Sequence, residues 1–168
     1  MTGWRASRIG FSAASRAVVG IVLGCLALAP ARALDNVDGL PVRLGDTYDQ
    51  VKEAYHTPLE AEPVEGVPAL RGATNLHLKT KGVWFFFDRS ERIITIWLHA
   101  PFPGTVAGVK IGDTVSKMIK VLGKPIKTTV PVNDTQPRIY AYYLDDVTTA
   151  LFETVGDSDV IEMILLQK

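Results

Sequence analysis

The sequence predicts an α+β protein of two tandem repeats, each a short helix, or helix pair, packed on a three- to four-stranded antiparallel meander. Three observations carry that expectation. A six-residue stretch occurs twice, as Val42-Arg43-Leu44-Gly45-Asp46-Thr47 and as Val109-Lys110-Ile111-Gly112-Asp113-Thr114. The offset of 67 residues (109 − 42) also superimposes Pro58 on Pro125 and Ile94 on Ile161 without a gap, so the repeated object is longer than a hexapeptide. After each copy the apolar pattern follows a helical period for about two turns and then alternates with the period of strands. The expected plan is a leader at residues 1–33, a lead-in at 34–41, a first unit at 42–99, a connector at 100–108 and a second unit at 109–168.

The leader has the composition of a secretory signal. Arg5, Arg8 and Arg16 precede an apolar run from Ala17 to Ala29, and Ala31-Arg32-Ala33 supplies small residues for cleavage. The run is too short to span hydrocarbon comfortably and Pro30 follows it. Export to the periplasm or medium is therefore expected, without integral membrane insertion after cleavage. A lipoprotein anchored through Cys25 is a weaker alternative, because Leu23 fits a lipobox poorly. Cys25 is the only cysteine, so a chain starting at Leu34 has neither a disulfide nor a thiol nucleophile. The 168 residues carry no net charge, but the leader holds four arginines and no acid; the remainder has 14 Lys and Arg against 18 Asp and Glu. That balance excludes a nucleic-acid binder, which needs a basic face to neutralise phosphates.

Residues 34–41 read as an exposed lead-in, because Asp35, Asn36, Asp38 and Gly39 favour turns. Gly45 turns the chain, and Asp46 or Thr47 can cap a helix; Thr47 with Gln50 fits a capping box. The helix is expected over Tyr48 to Tyr55, with Tyr48, Val51, Ala54 and Tyr55 on the buried face, and Pro58 ends it. Thr57 to Leu70, with three prolines among acids, reads as a loop long enough to hide a second helix. Strands follow from Asn75 to Leu78, Val83 to Phe87 and Ile93 to His99. In the second unit Thr114 opens a helix whose Val115, Met118, Ile119, Val121 and Leu122 face inward; Gly123 ends it and Pro125 follows. Thr128 to Pro137 reads as a polar loop holding the sequon Asn133-Asp134-Thr135. Strands then run at about Arg138 to Leu144, Thr149 to Val155 and Val160 to Leu166.

Overlaying the copies assigns faces. Ile94, Ile96 and Leu98 align with Ile161, Met163 and Leu165, all apolar, and are expected against the helices. Phe86 aligns with Glu153 and Thr95 with Glu162, so Trp84, Phe86, Trp97, His99 and His77 are expected on the opposite face. Alternation places Tyr140 and Tyr142 there as well, with Ile139, Ala141 and Tyr143 turned inward.

The pattern Gly-Asp-Thr, helix, Gly-x-Pro and meander, carried by Val42 to Pro58 and more faithfully by Val109 to Pro125, resembles the β-lactamase inhibitor protein fold and the related SmpA/OmlA (BamE-like) envelope domain. The first copy departs from it, with His56 and Thr57 where Gly123 and Lys124 stand. The resemblance implies an exported binding module without chemistry of its own, whose aromatic sheet surface clamps a partner protein. Gly45, Asp46, Thr47, Gly112, Asp113, Thr114, Gly123 and Pro125 then have structural roles.

Reactive constellations are sparse. Ser90 and Ser158 fall in hairpin tips, and no serine sits in a nucleophile elbow. The acids at Asp145-Asp146 and Asp157-Ser158-Asp159 lack a calcium-binding loop. His77 and His99 share a face but have no third ligand at a metal-binding spacing, so no metal or other cofactor is expected. The expected partner is another protein of the envelope or secreted fraction, met through Trp84, Phe86, Trp97, His99, His77, Tyr140 and Tyr142. Inhibitor or immunity protein is the leading expectation; an envelope assembly factor comes second, and a small-ligand carrier or enzyme last.

Overall fold

The computed structural model describes residues 37–65, 72–130 and 136–168. The expected leader and cleavage site, Cys25 and the sequon lie outside those residues. The elements run α1 Tyr48–Tyr55, β1 Glu62–Pro63, β2 Thr74–Leu78, β3 Val83–Phe87, β4 Ile93–His99, α2 Val115–Leu122, β5 Lys127–Thr129, β6 Pro137–Tyr143, β7 Thr149–Val155 and β8 Met163–Gln167.

All eight strands form one antiparallel sheet, in the order β1-β2-β3-β4-β8-β7-β6-β5. This overturns the expected pair of tandem helix-on-meander repeats. The seam that joins the halves is β4 against β8, paired from Thr95 with Gln167 to His99 with Met163. A strand that continues another's ladder buries its edge, and two separate meanders would leave four edges open instead of two. Both helices lie on the same face of the sheet. Tyr48 and Tyr55 of α1 meet Phe87 and Phe85 edge-on or tilted, and Met118 of α2 is fully buried in the same cluster as Phe152 and Ile164.

The two Gly-Asp-Thr corners are locally alike, which is what the repeated hexapeptide reports. Gly45 N–H donates to Ile93 O and Gly112 N–H to Ile161 O, each at 2.8 Å. Thr47 and Thr114 are the helix N-caps, and only Thr47 completes a capping box with Gln50. Asp46 and Asp113 do not cap; each carboxylate accepts the N–H three residues back, of Arg43 and Lys110. Asp113 is buried and also pairs with Lys117 Nζ at 2.8 Å. Burial alone would raise its pKa, but the Lys117 and Lys110 hydrogen bonds outweigh that and hold it below 3.8. Gly123 is the α2 C-cap, and its carbonyl accepts the Tyr142 hydroxyl at 2.9 Å.

Beyond the corners the constant offset fails. Ile161 matches Ile93 rather than Ile94, because residues 87–94 lie between the paired Phe86 and Thr95 whereas residues 154–162, one more, lie between the paired Glu153 and Met163. The hairpin between Leu78 and Val83 holds residues 79–82, whereas that between Tyr142 and Ala150 holds residues 143–149. Three extra residues are an odd number, and an odd slip turns every side chain of the strand over.

Four smaller expectations also change. The lead-in is not exposed along its length: Val37 and Leu40 are core residues, and Asp38 bridges to Thr105. On α2 only Met118 is buried, while Ile119 and Val121 are exposed, so the inward stripe is narrower than the apolar pattern suggests. Ala54 of α1 is likewise exposed. The two segments read as loops, the first long enough to hide a helix, contribute instead β1 and β5, short strands at opposite edges of the sheet. The first is held by Glu60, which accepts from Lys52 Nζ and the Tyr48 hydroxyl, each at 2.7 Å.

Candidate functional site

The face without helices among the described residues is built by strand alternation. Leu76, Val83, Phe85, Ile96, Leu98, Ile164, Leu166, Ala150 and Phe152 point to the helices and are buried. Their neighbours along each strand therefore point the other way. One row across the sheet reads His77, Trp84, Trp97, Leu165, Leu151 and Ala141; the row beside it holds His99, Met163, Glu153 and Ile139.

The first half of this face is an aromatic cluster. Trp84 meets Phe86 at 5.3 Å and Trp97 at 5.4 Å between ring centroids, and Phe86 meets Trp97 at 4.6 Å. Trp84 and Trp97 stay partly exposed, whereas Phe86 is buried beneath them. The Trp84 indole N–H donates to Asn75 Oδ1 at 2.6 Å, which fixes the ring. The Trp97 indole N–H is buried and has no hydrogen-bond partner among the described residues.

His77 stacks on Trp84 at 4.5 Å and 14°, and its Nε2 lies 3.1 Å from Nε2 of His99. Desolvation, and then the charges of His99 and Lys79, hold the His77 pKa below 6.5. A cleft of about 620 Å³ between the α1 exit and β2 reaches this cluster; Tyr55, His77, Lys79 and Trp84 are among its walls.

Five of the seven expected contact residues therefore gather: Trp84, Phe86, Trp97, His77 and His99. Tyr140 and Tyr142 do not. Both are buried on the helix-covered face, where Tyr142 meets Phe152 edge-on, because the longer β6–β7 hairpin inverts β6. Tyr143, expected inward, is 71% exposed instead. A separate one-residue shift, from the longer connection between β7 and β8, carries Met163 and Leu165 from the expected core to the open face. With Leu151 and Ile139 they extend the aromatic cluster into one apolar surface, and none of the four is fully buried. Only the cross-strand pairing exposes them; no sequence signal sets them apart.

Glu153 interrupts that surface. It is 8% exposed, and burial alone pushes its carboxyl pKa above 4.5. A raised pKa means the folded protein holds the proton more tightly than the unfolded chain does. The associated stability is fully present below 4.5 and is lost as pH rises through the folded value. At neutral pH the charged side chain is thus a burden on the fold. Glu153→Gln is expected to raise stability at pH 7 by on the order of 1 kcal/mol. Urea unfolding at pH 7 and pH 4 checks this: the gain should shrink at the lower pH, and an equal or opposite difference at both would refute it.

Among solved structures the chain is similar to a DUF4309 family protein (YjgB) from Bacillus subtilis subsp. subtilis str. 168. The identity is 20%, over 73% of this chain and 78% of that one, with a TM-score of 0.46. It is also similar to an extracellular protein containing a SCP domain from Bacillus anthracis str. Ames, at 8% identity and a TM-score of 0.54, over 74% of this chain. It spans 44% of that protein's length, and the likeness is one of fold alone. Neither description names the β-lactamase inhibitor protein or the SmpA/OmlA domain. No protein-family model and no curated protein matches the chain.

Proposed function

We propose that this is an exported, non-enzymatic protein-binding module that inhibits or neutralises an envelope or secreted protein through the helix-free sheet face. The observation that carries the reading is the cluster of Trp84, Phe86 and Trp97 with both tryptophans part-exposed. Rigid aromatic rings that already hold their conformation lose little entropy on binding and anchor interfaces. Leu165, Met163, Leu151 and Ile139 lengthen the surface beyond a single small patch, and contiguous apolar area of this kind marks interaction sites. Export rests on the composition of residues 1–33. No helix among the described residues is long and apolar enough to cross a membrane.

The test is affinity capture from envelope and culture fractions, followed by calorimetry with the captured partner. Trp84→Ala and Trp97→Ala should each weaken binding by about 2 kcal/mol or more, roughly thirtyfold, while Tyr140→Phe on the covered face leaves it unchanged. Normal binding by both tryptophan variants would remove the face from the interface. Capture of outer-membrane assembly components, with a permeability defect on deletion, would replace inhibition by an envelope-assembly role.

A further inference from the structure

We propose that His77 and His99 together bind a divalent first-row transition-metal ion, with Cu2+ held most tightly. The two histidines come from β2 and β4, which are not neighbours in the sheet. Their side chains converge across β3, where Trp84 lies beside His77 and Gly82 beside His99, the Gly82 carbonyl accepting the His99 N–H at 2.9 Å. The resulting Nε2–Nε2 separation is 3.1 Å. With metal–nitrogen bonds of about 2.0–2.1 Å, two imidazoles lie about 3.3 Å apart in a tetrahedral site and about 2.9 Å apart as neighbours in a square plane. The observed separation falls between these, so both rings can reach one ion with side-chain adjustments alone.

Tautomers point the same way. His99 Nδ1 lies 2.7 Å from the Ala100 carbonyl, and a carbonyl oxygen only accepts, so Nδ1 carries the proton and Nε2 keeps its lone pair. A ring nitrogen tied to a backbone carbonyl is the usual support behind a metal-bound histidine. His77 therefore donates its Nε2 proton to His99 in the metal-free protein. On binding, two Nε2–metal bonds replace two metal–water bonds, and His77 takes its Nδ1–H form. Its proton moves between ring nitrogens through solvent, so none is released overall and no electron is transferred. The stack on Trp84 holds the His77 plane, and the cleft against β2 offers a path from solvent.

Imidazole nitrogen selects copper, nickel or zinc over magnesium and calcium, and copper heads the affinity series. Two protein ligands and the nearby charge of Lys79 set a moderate affinity, with water completing the shell. This inference stands apart from the protein-binding reading, since it concerns the free chain and needs no partner.

The untagged chain is titrated with Cu2+, with Zn2+ and with Mg2+, following tryptophan fluorescence. Cu2+ should quench it saturably, because Trp84 stacks on His77; Mg2+ should have no effect. His77→Ala and His99→Ala should each weaken Cu2+ binding at least tenfold, while His56→Asn binds as the parent does. Electron paramagnetic resonance of the Cu2+-loaded parent should show two imidazole nitrogens, and one in either variant that remains folded by circular dichroism. A parent spectrum with fewer than two imidazole nitrogens, or histidine variants that bind like the parent, would overturn the site.

Discussion

Gly82→Ala is expected to cost roughly 3 kcal/mol or more of folding stability, among the largest effects of any single methyl in the chain. Gly82 ends the turn between β2 and β3 at φ 65°, a conformation that a residue with a Cβ adopts only under strain. A Cβ there would stand 2.1 Å from the His99 carbonyl oxygen, 2.5 Å from Phe102 N and 2.9 Å from Pro101 N. All three are backbone atoms, so no side chain can swing away, and the connector after β4 must shift bodily. Gly112→Ala is the control. It has φ 88° and nothing within 4 Å of a Cβ, so only the backbone strain applies, about 1 kcal/mol. Urea unfolding of the two variants measures the difference. Equal losses would mean that the crowding at Gly82 is relieved at no cost. The displaced segment begins at His99, so the same substitution should also move the His99 ring away from His77 and weaken Cu2+ binding by any folded Gly82→Ala protein.

How far the site could be read in the sequence turns on where each residue's neighbours come from. Trp84, Phe86, Trp97 and His99 sit on strands joined by one short hairpin, so period-2 alternation placed them on the correct face despite the bulge at Phe86 and Phe87. The first helix was legible for a similar local reason: Thr47, Gln50 and Val51 carry its cap and its buried contact within one turn. Tyr140 and Tyr142 are not legible in this way, because their orientation depends on the number of residues between β6 and β7, which alternation within β6 cannot supply. His77 against His99 is harder still. Two residues on non-adjacent strands meet across β3, and no spacing along the chain encodes that contact. The repeated Gly-Asp-Thr corner was true as local geometry. It misled at the next level, because two equal corners can feed either two small sheets or the two halves of one, and only the β4–β8 seam decides.

That seam has a thermodynamic signature. Phe85 and Phe152 are fully buried at equivalent places, on β3 and β7 on either side of the seam, each paired with a core residue of the central strands: Ile96 and Ile164. Truncating either ring to alanine removes its transfer free energy and leaves a cavity that the sheet cannot collapse around. A loss of about 3–5 kcal/mol is expected for each. The architecture adds a sharper expectation than the size of the loss. Since β4 and β8 share a ladder and both helices cover one apolar layer, Phe85→Ala and Phe152→Ala should each lower one cooperative transition that involves the whole described chain. Two independently folded units would behave otherwise: each variant would melt its own half early and leave the other half's transition where the parent has it. Calorimetry, with hydrogen exchange followed separately at Val83–Phe87 and Thr149–Val155, distinguishes the outcomes. A biphasic melt in Phe152→Ala with exchange accelerated only in β7 and its neighbours would mean that the seam carries little energy. Loss of protection in both strands together would make the sheet the unit of stability, and would tie the aromatic face in its first half to residues in the second.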